Sequence, residues 1–233
     1  MSKPFHQGPV ELVDCEVHGP GSGAELFVVE GESAALAVAR VRDARFQAVL
    51  PMQGKPLNAV KATPHRVAAQ PLFRELTAAL GTGMGADFRA DGLRFERLLI
   101  LTDPDADGIH CGVLLLAFLH RFLRPLLDAA GPGPGRVGWV RAPWGEVMPA
   151  DGGQALVAHS EEGLMALAEQ IRREKPVTVR RFRGLAAIDS ELLARQCVEP
   201  GGRRVDWMDA RQVEGMLAML AAAGVEGPVG MGG

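Results

Sequence analysis

The stretch Arg97–Leu119, RLLILTDPDADGIHCGVLLLAFL, sets three aspartates at every second position, Asp103, Asp105 and Asp107, between two apolar runs. The first run, Arg97–Thr102, has the length and continuous apolar character of a strand buried on both faces; the second, Ile109–Leu127, reads as a core helix. In an open parallel sheet, ligands bind beyond the carboxyl ends of the strands. LLILT therefore delivers Asp103 to a binding edge, and LFVV (Leu26–Val29) delivers Glu30 to the same edge. Four carboxylates gathered there repel one another at neutral pH, and a divalent cation or basic partners would keep them ionised. All-oxygen ligation favours magnesium or manganese over a soft metal. Helix capping offers a plainer reading, with Asp107 capping a helix that starts at Ile109 and Asp105 favouring its dipole. That reading leaves Asp103 and Glu30 unexplained.

Rival motifs fail on spacing. A calcium EF-hand also begins D-x-D-x-D-G, but its twelfth position should be a bidentate glutamate and here is Leu114. A nucleotide P-loop needs Gly-Lys-Ser/Thr, and the nearest match, Gly54–Pro56, has proline where the hydroxyl belongs. No ATP site is visible. A phosphatase or phosphomutase with an aspartyl nucleophile after a strand stays open, since DPD alone would suit one, though that reading requires neither Glu30 nor the Asp-Gly step.

The remainder of the chain bounds the class. With 233 residues, 47% hydrophobic content and a net charge of -3, it can bury a core and has no overall basic field, so any nucleic-acid contact must be a local patch. The best such patch is Arg172–Arg183, RREKPVTVRRFR, with six basic residues against one acid. Its alternatives are phosphate contact and a solvated edge strand guarded by charge. The N-terminus lacks a signal-type apolar core, and the run Gly112–Leu119 is broken by His120 and Arg121 before it could span a bilayer, which gives the expectation of a cytoplasmic protein without membrane contact. Cys15, Cys111 and Cys197 form no CxxC pair and read as reduced, buried thiols.

Short apolar strands alternate with helices: strands at Leu26–Val29, Phe46–Pro51, Arg97–Thr102, Val137–Arg141 and Val177–Phe182, and helices at Gly31–Arg42, Leu72–Leu80, Ile109–Leu127, Glu161–Glu174, Ser190–Gln196 and Asp209–Ala223. Gly81–Gly85 reads as a glycine turn, 131–135 (GPGPG) as punctuation, Met52–Gln70 as irregular and the final GPVGMGG as disordered. The pattern predicts an α/β fold with a Rossmann-like parallel sheet covered on both faces.

LFVVEGESAA, FQAVLPMQGKPLNAVKA, LGTGMG and LLILTDPDADGIH together resemble the Toprim domain of type IIA DNA topoisomerases, most closely the C-terminal half of gyrase B or of its topoisomerase IV counterpart; RRFRGLAAIDSELLARQCVEPGGRRV is similar to the segment that closes those proteins. The resemblance implies a lead-in over residues 1–24, a Toprim domain over 25–145 and a small helical extension over 146–233. It implies Mg2+-assisted DNA breakage and rejoining, with Glu30 as general acid or base and Glu30, Asp103, Asp105 and Asp107 as metal ligands. Lys55, His110, Arg180, Arg181 and Arg183 are the expected DNA contacts. Departures stand beside these matches: Ala35 and Leu36 replace Gly-Gly, Gln53 replaces arginine, and Phe182–Ile188 (FRGLAAI) replaces a tyrosine-led motif and loses a carboxylate at Ala187. The 233 residues contain no tyrosine. The expected partners are therefore DNA, a gyrase A-like subunit carrying the nucleophilic tyrosine, and a separate ATPase domain; a non-catalytic paralogue and a stand-alone Toprim nuclease are the alternatives.

Overall fold

A computed structural model of the chain describes residues 12–128 and 135–222. Most of the GPGPG punctuation, the final GPVGMGG and the first eleven residues of the lead-in lie outside the described residues.

Five strands form the main sheet, lying across it in the order second, first, third, fourth and eighth along the chain. Strands β1 (Glu25–Glu30), β2 (Gln47–Met52), β3 (Arg97–Leu101) and β4 (Val137–Val140) run parallel. At the edge, β8 (Val205–Met208) pairs antiparallel with β4, so residues near the C-terminus complete the sheet. β1 pairs on both sides, with Val29 opposite Pro51 and Leu101. Its alternation explains why LFVV is apolar throughout, because Leu26 and Val28 enter one core while Phe27 and Val29 enter the other.

The first core lies under α3 (Pro71–Leu80), α4 (Ala106–Phe122) and α8 (Ala210–Ala222). The second lies under α1 (Gly31–Val41), α7 (Ser190–Leu193) and the π turn Ala194–Val198 that follows it. Local chemistry sets the helix ends. Pro71 opens α3, the Gln70 side chain accepts from the Phe73 amide at 3.0 Å, and Gly81 closes it in the left-handed region. Gly81, Gly83 and Gly85 all take positive φ, as the glycine turn requires.

Several expectations give way here. The helix expected at Ile109–Leu127 begins three residues earlier, with Asp105 rather than Asp107 as its cap, and stops at Phe122. Pro125 disfavours helix at the residue before it and opens a separate turn, α5 (Pro125–Asp128). The irregular stretch 52–70 contains α2 (Pro64–Ala69), opened by Thr63 and Pro64. Val177–Phe182 belongs to no parallel sheet: β7 (Val177–Arg181) pairs antiparallel with β5 (Gly145–Pro149), which also pairs with β6 (Leu156–Ala158). This second sheet packs against α6 (Glu161–Arg172) around Val147, Ala158, Leu164 and Ala168. Among the described residues no helix is long and apolar enough to cross a membrane.

Candidate metal centre

Glu30 ends β1 at the residue before α1, and Asp103 lies two residues beyond the end of β3, so neighbouring parallel strands present both acids at one edge of the sheet. The loop from Asp103 to Asp107 then turns into α4. Asp105 accepts a hydrogen bond from the Gly108 amide at 2.9 Å and caps the helix. Gly108 allows that tight turn, since a Cβ there would stand 2.2 Å from the Asp103 carbonyl oxygen. Asp107, in the first turn, is exposed and pairs with the Lys55 ammonium.

Asp103 is held from a distant part of the chain. Its Oδ1 accepts from the Leu185 amide at 2.8 Å, and Gly184 lies so close that a Cβ would come within 2.8 Å of Oδ2. With φ at +141°, Gly184 also takes a backbone conformation that L side chains rarely adopt. The FRGLAAI segment thus fixes the orientation of an aspartate 82 positions away.

Potential ligand atoms of Glu30, Asp107 and Cys111 lie within 4.8 Å of one another. Glu30 Oε2 is buried without a hydrogen-bond partner among the described residues. Burial pushes the Glu30 carboxyl above its ordinary range, and the charges of Asp103, Asp107 and Asp105 push it further. Asp103 is raised by burial, against the lowering effect of the Leu185 amide. Asp107 is lowered by its hydrogen bond to Lys55, which in turn raises the Lys55 ammonium. The Cys111 thiol is pushed up to about 11 by burial and by Glu30, so at neutral pH it is protonated and a poor nucleophile. A half-buried carboxylate ringed by like charges, with one oxygen buried and lacking a partner among the described residues, fits a divalent cation on chemical grounds.

The expected DNA contacts divide into groups. Lys55 stands at the acidic centre. His110 lies on α4 and lines one cavity with Asn58 and Lys61; burial and the Lys55 charge lower its pKa, favouring the neutral imidazole. On β7, Arg180 pairs with the buried Glu146 at 3.0 Å and covers the Phe182 ring, while Arg181 lies 3.6 Å from Glu161 and over Trp144. Arg183 is exposed and directly precedes Gly184, beside Asp103. Cys111 and the Leu185 amide were not singled out from sequence for this centre. For Cys111 a signal existed, because Asp107 and Cys111 are four apart on one helix and share a face; for Leu185 none did.

Residues 25–133, which include β1, β2, β3 and the four acids, match the Toprim domain family. This part of the chain is a Toprim domain. Over nearly its whole length the chain is similar to DNA gyrase B: it is 35% identical over 229 residues to that of Streptococcus pyogenes, covering 94% of this chain and 34% of the relative. Against the Archaeoglobus fulgidus protein it is 34% identical over 221 residues, covering 94% and 33%, and against that of Thermus thermophilus 35% over 219 residues, covering 91% and 33%. The chain spans about a third of the length of the curated relatives it matches.

Proposed function

We propose that the chain is the metal-binding Toprim module of a type IIA DNA topoisomerase, supporting cleavage and religation of DNA with a tyrosine-bearing, gyrase A-like subunit. The observation that carries this reading is Glu30 at the end of β1, half-buried, with one oxygen unpartnered among the described residues and three aspartates in the facing loop. Glu30, Asp103, Asp105 and Asp107 would hold Mg2+ or Mn2+, and the cation supplies Lewis-acid stabilisation of charge on a phosphate or leaving oxygen. Glu30, with its pKa raised, is suited to take and return a proton at the reacting oxygen. Lys55 lies against the acids and can exchange Asp107 for a DNA phosphate, since an exposed ion pair contributes little. Residues 25–145 would form the Toprim unit and 146–233 an extension that orients Asp103 through Leu185.

Two experiments test the reading. Because a ligand that binds only the native state stabilises it, millimolar Mg2+ or Mn2+ should raise Tm. The raised carboxyl pKa values of Glu30 and Asp103 mean that the folded state binds these protons more tightly than the unfolded state. In chelator, stability should therefore fall as pH rises from the ordinary carboxylate range through the folded-state values, and saturating metal should abolish that fall. A metal response that survives changing Asp103, Asp105 and Asp107 together to Asn refutes the site.

For DNA, binding should be weak, sequence-independent and steeply salt-sensitive. Lys55→Gln and Arg183→Gln should each reduce the salt slope by about 1. Arg180 is a poor probe, because removing it leaves Glu146 buried without its partner. Unchanged slopes in both variants would make the basic stretch a solvated edge only.

A further inference from the structure

Cys111 sits where an all-oxygen centre has no use for sulfur. Its Sγ is 3.9 Å from Glu30 Oε1, and both groups lie within 4.8 Å of an Asp107 oxygen. Metal–sulfur and metal–oxygen bonds of about 2.3 and 2.0 Å at a tetrahedral angle place sulfur and oxygen about 3.5 Å apart. The present separation is therefore within a small side-chain adjustment of a shared ion.

A second observation points to a ligand in the same niche. One step beyond the last paired register, Val29 opposite Leu101, stand Glu30 and Thr102 on neighbouring strands. Alternation puts both on the face of Val28 and Ile100, whose core also contains Cys111. Thr102 is 2% exposed, and its Oγ1, like Glu30 Oε2, is buried with no hydrogen-bond partner among the described residues. Buried polar atoms are nearly always satisfied, and here two go without a partner among the described residues at the ends of neighbouring strands, one of them on the acid that faces the thiol.

The other cluster of this kind, Asp14, Cys15 and His18, makes an instructive contrast. There the Arg94 guanidinium already bonds both Asp14 and His18, supplying a fixed cation. Beside Glu30, the Lys55 ammonium is taken up by the exposed Asp107.

We propose that Cys111, with Glu30 and Asp107, forms a site for a thiophilic divalent cation such as Zn2+. The proposal shares Glu30 and Asp107 with the metal centre above and extends that reading, but the sulfur ligand is independent of it. On binding, the thiol proton leaves to solvent as the sulfur–metal bond forms, with no change of oxidation state. A zinc ion so held occupies two carboxylates of the Mg2+ centre and excludes the harder ion from them, because borderline metals prefer sulfur and Mg2+ does not. The centre thereby becomes sensitive to zinc.

The probe is Co2+ added to the whole chain carrying Cys15→Ser, which removes the competing cluster. A near-ultraviolet thiolate-to-cobalt charge-transfer band is expected, displaced by Zn2+ but not by equimolar Mg2+, and lost when Cys111→Ser is added. No band, or one that persists without Cys111, overturns the proposal. Since Cys111 is buried and its replacement can impair folding, the wild-type chain gives a parallel readout by peptide-resolved thiol alkylation. Zinc at ten times its Kd should slow modification of Cys111 about tenfold, while Mg2+ should not. Equal rates with and without zinc reject the site. A Tm rise with Mg2+ but no thiolate band would sink the sulfur ligand alone; a band without any Mg2+ response would sink the magnesium reading instead.

Discussion

Glu25→Ala is expected to lower the unfolding free energy by about 3–5 kcal/mol, the cost of leaving buried charge without its partner. Glu25 is fully buried at the start of β1. Its Oε2 accepts from Arg203 Nη1 at 2.7 Å and from Gln47 Nε2 at 2.9 Å; its Oε1 accepts from the second Arg203 nitrogen and from Arg97 at 3.3 Å. Arg203 and Gln47 also donate to the Val198 carbonyl, at 2.9 and 3.0 Å. One carboxylate therefore ties the starts of three parallel strands to the segment after the π turn. Removing it strands an Arg203 side chain that is 3% exposed. Urea unfolding should show a lower midpoint at an unchanged slope. Combining Glu25→Leu with Arg203→Met should recover part of the loss, since replacing both partners of a buried pair by apolar groups is often close to neutral. A loss under about 1 kcal/mol for Glu25→Ala would mean that the network is hydrated and holds nothing together.

Glu25 and Glu30 show what the sequence could and could not reveal. ELFVVE reads at once as a buried strand with an acid at each end, and the carboxyl end of such a strand is where a functional acid belongs. Nothing local says that Glu25 is neutralised, because Arg203 lies 178 positions away. The acidic loop was legible for the same local reason: a strand, a turn and a helix cap fall within a dozen residues. The orientation of Asp103 was not, since it depends on a backbone amide at Leu185 and on Gly184 having no side chain. The small sheet leaves little trace in the sequence because the partners of β7 are short and poorly patterned, β5 containing Gly145 and Pro149 and β6 only three residues. β8 is half-buried throughout and shows no alternation to reveal it. Arg180 and Arg181 show the limit of reading charge alone, since the fold gives each an acidic and an aromatic neighbour within the protein.

Incubated with supercoiled plasmid and Mg2+, the chain alone is expected to give neither protein-linked breaks nor relaxation. With a gyrase A-like subunit added, linked breaks should appear, and Glu30→Gln in that mixture should reduce them by about 10²–10⁴-fold, the usual contribution of a positioned acid or base. The first expectation follows from composition. Breakage that can be resealed stores the broken phosphodiester as a covalent ester on the protein, dividing one hard step into two, and these 233 residues contain no tyrosine to form it. The second follows from the carboxyl edge. Glu30 has one buried oxygen without a partner among the described residues, and a pKa raised by burial and three neighbouring aspartates would, in the proposed role, let it take a proton from an attacking hydroxyl and return it to the leaving oxygen. Glutamine keeps the shape but cannot carry that proton, so its loss should fall on the chemical step while the salt dependence of DNA binding stays unchanged. Linked breaks from the chain alone would overturn the division of labour, and nicks without linkage would turn the proposal toward a metal-dependent nuclease. If no break appears even with the partner, while Mg2+ still raises Tm, the acids bind metal without catalysing cleavage, and the chain is a relative of gyrase B that binds DNA or a partner protein without cutting.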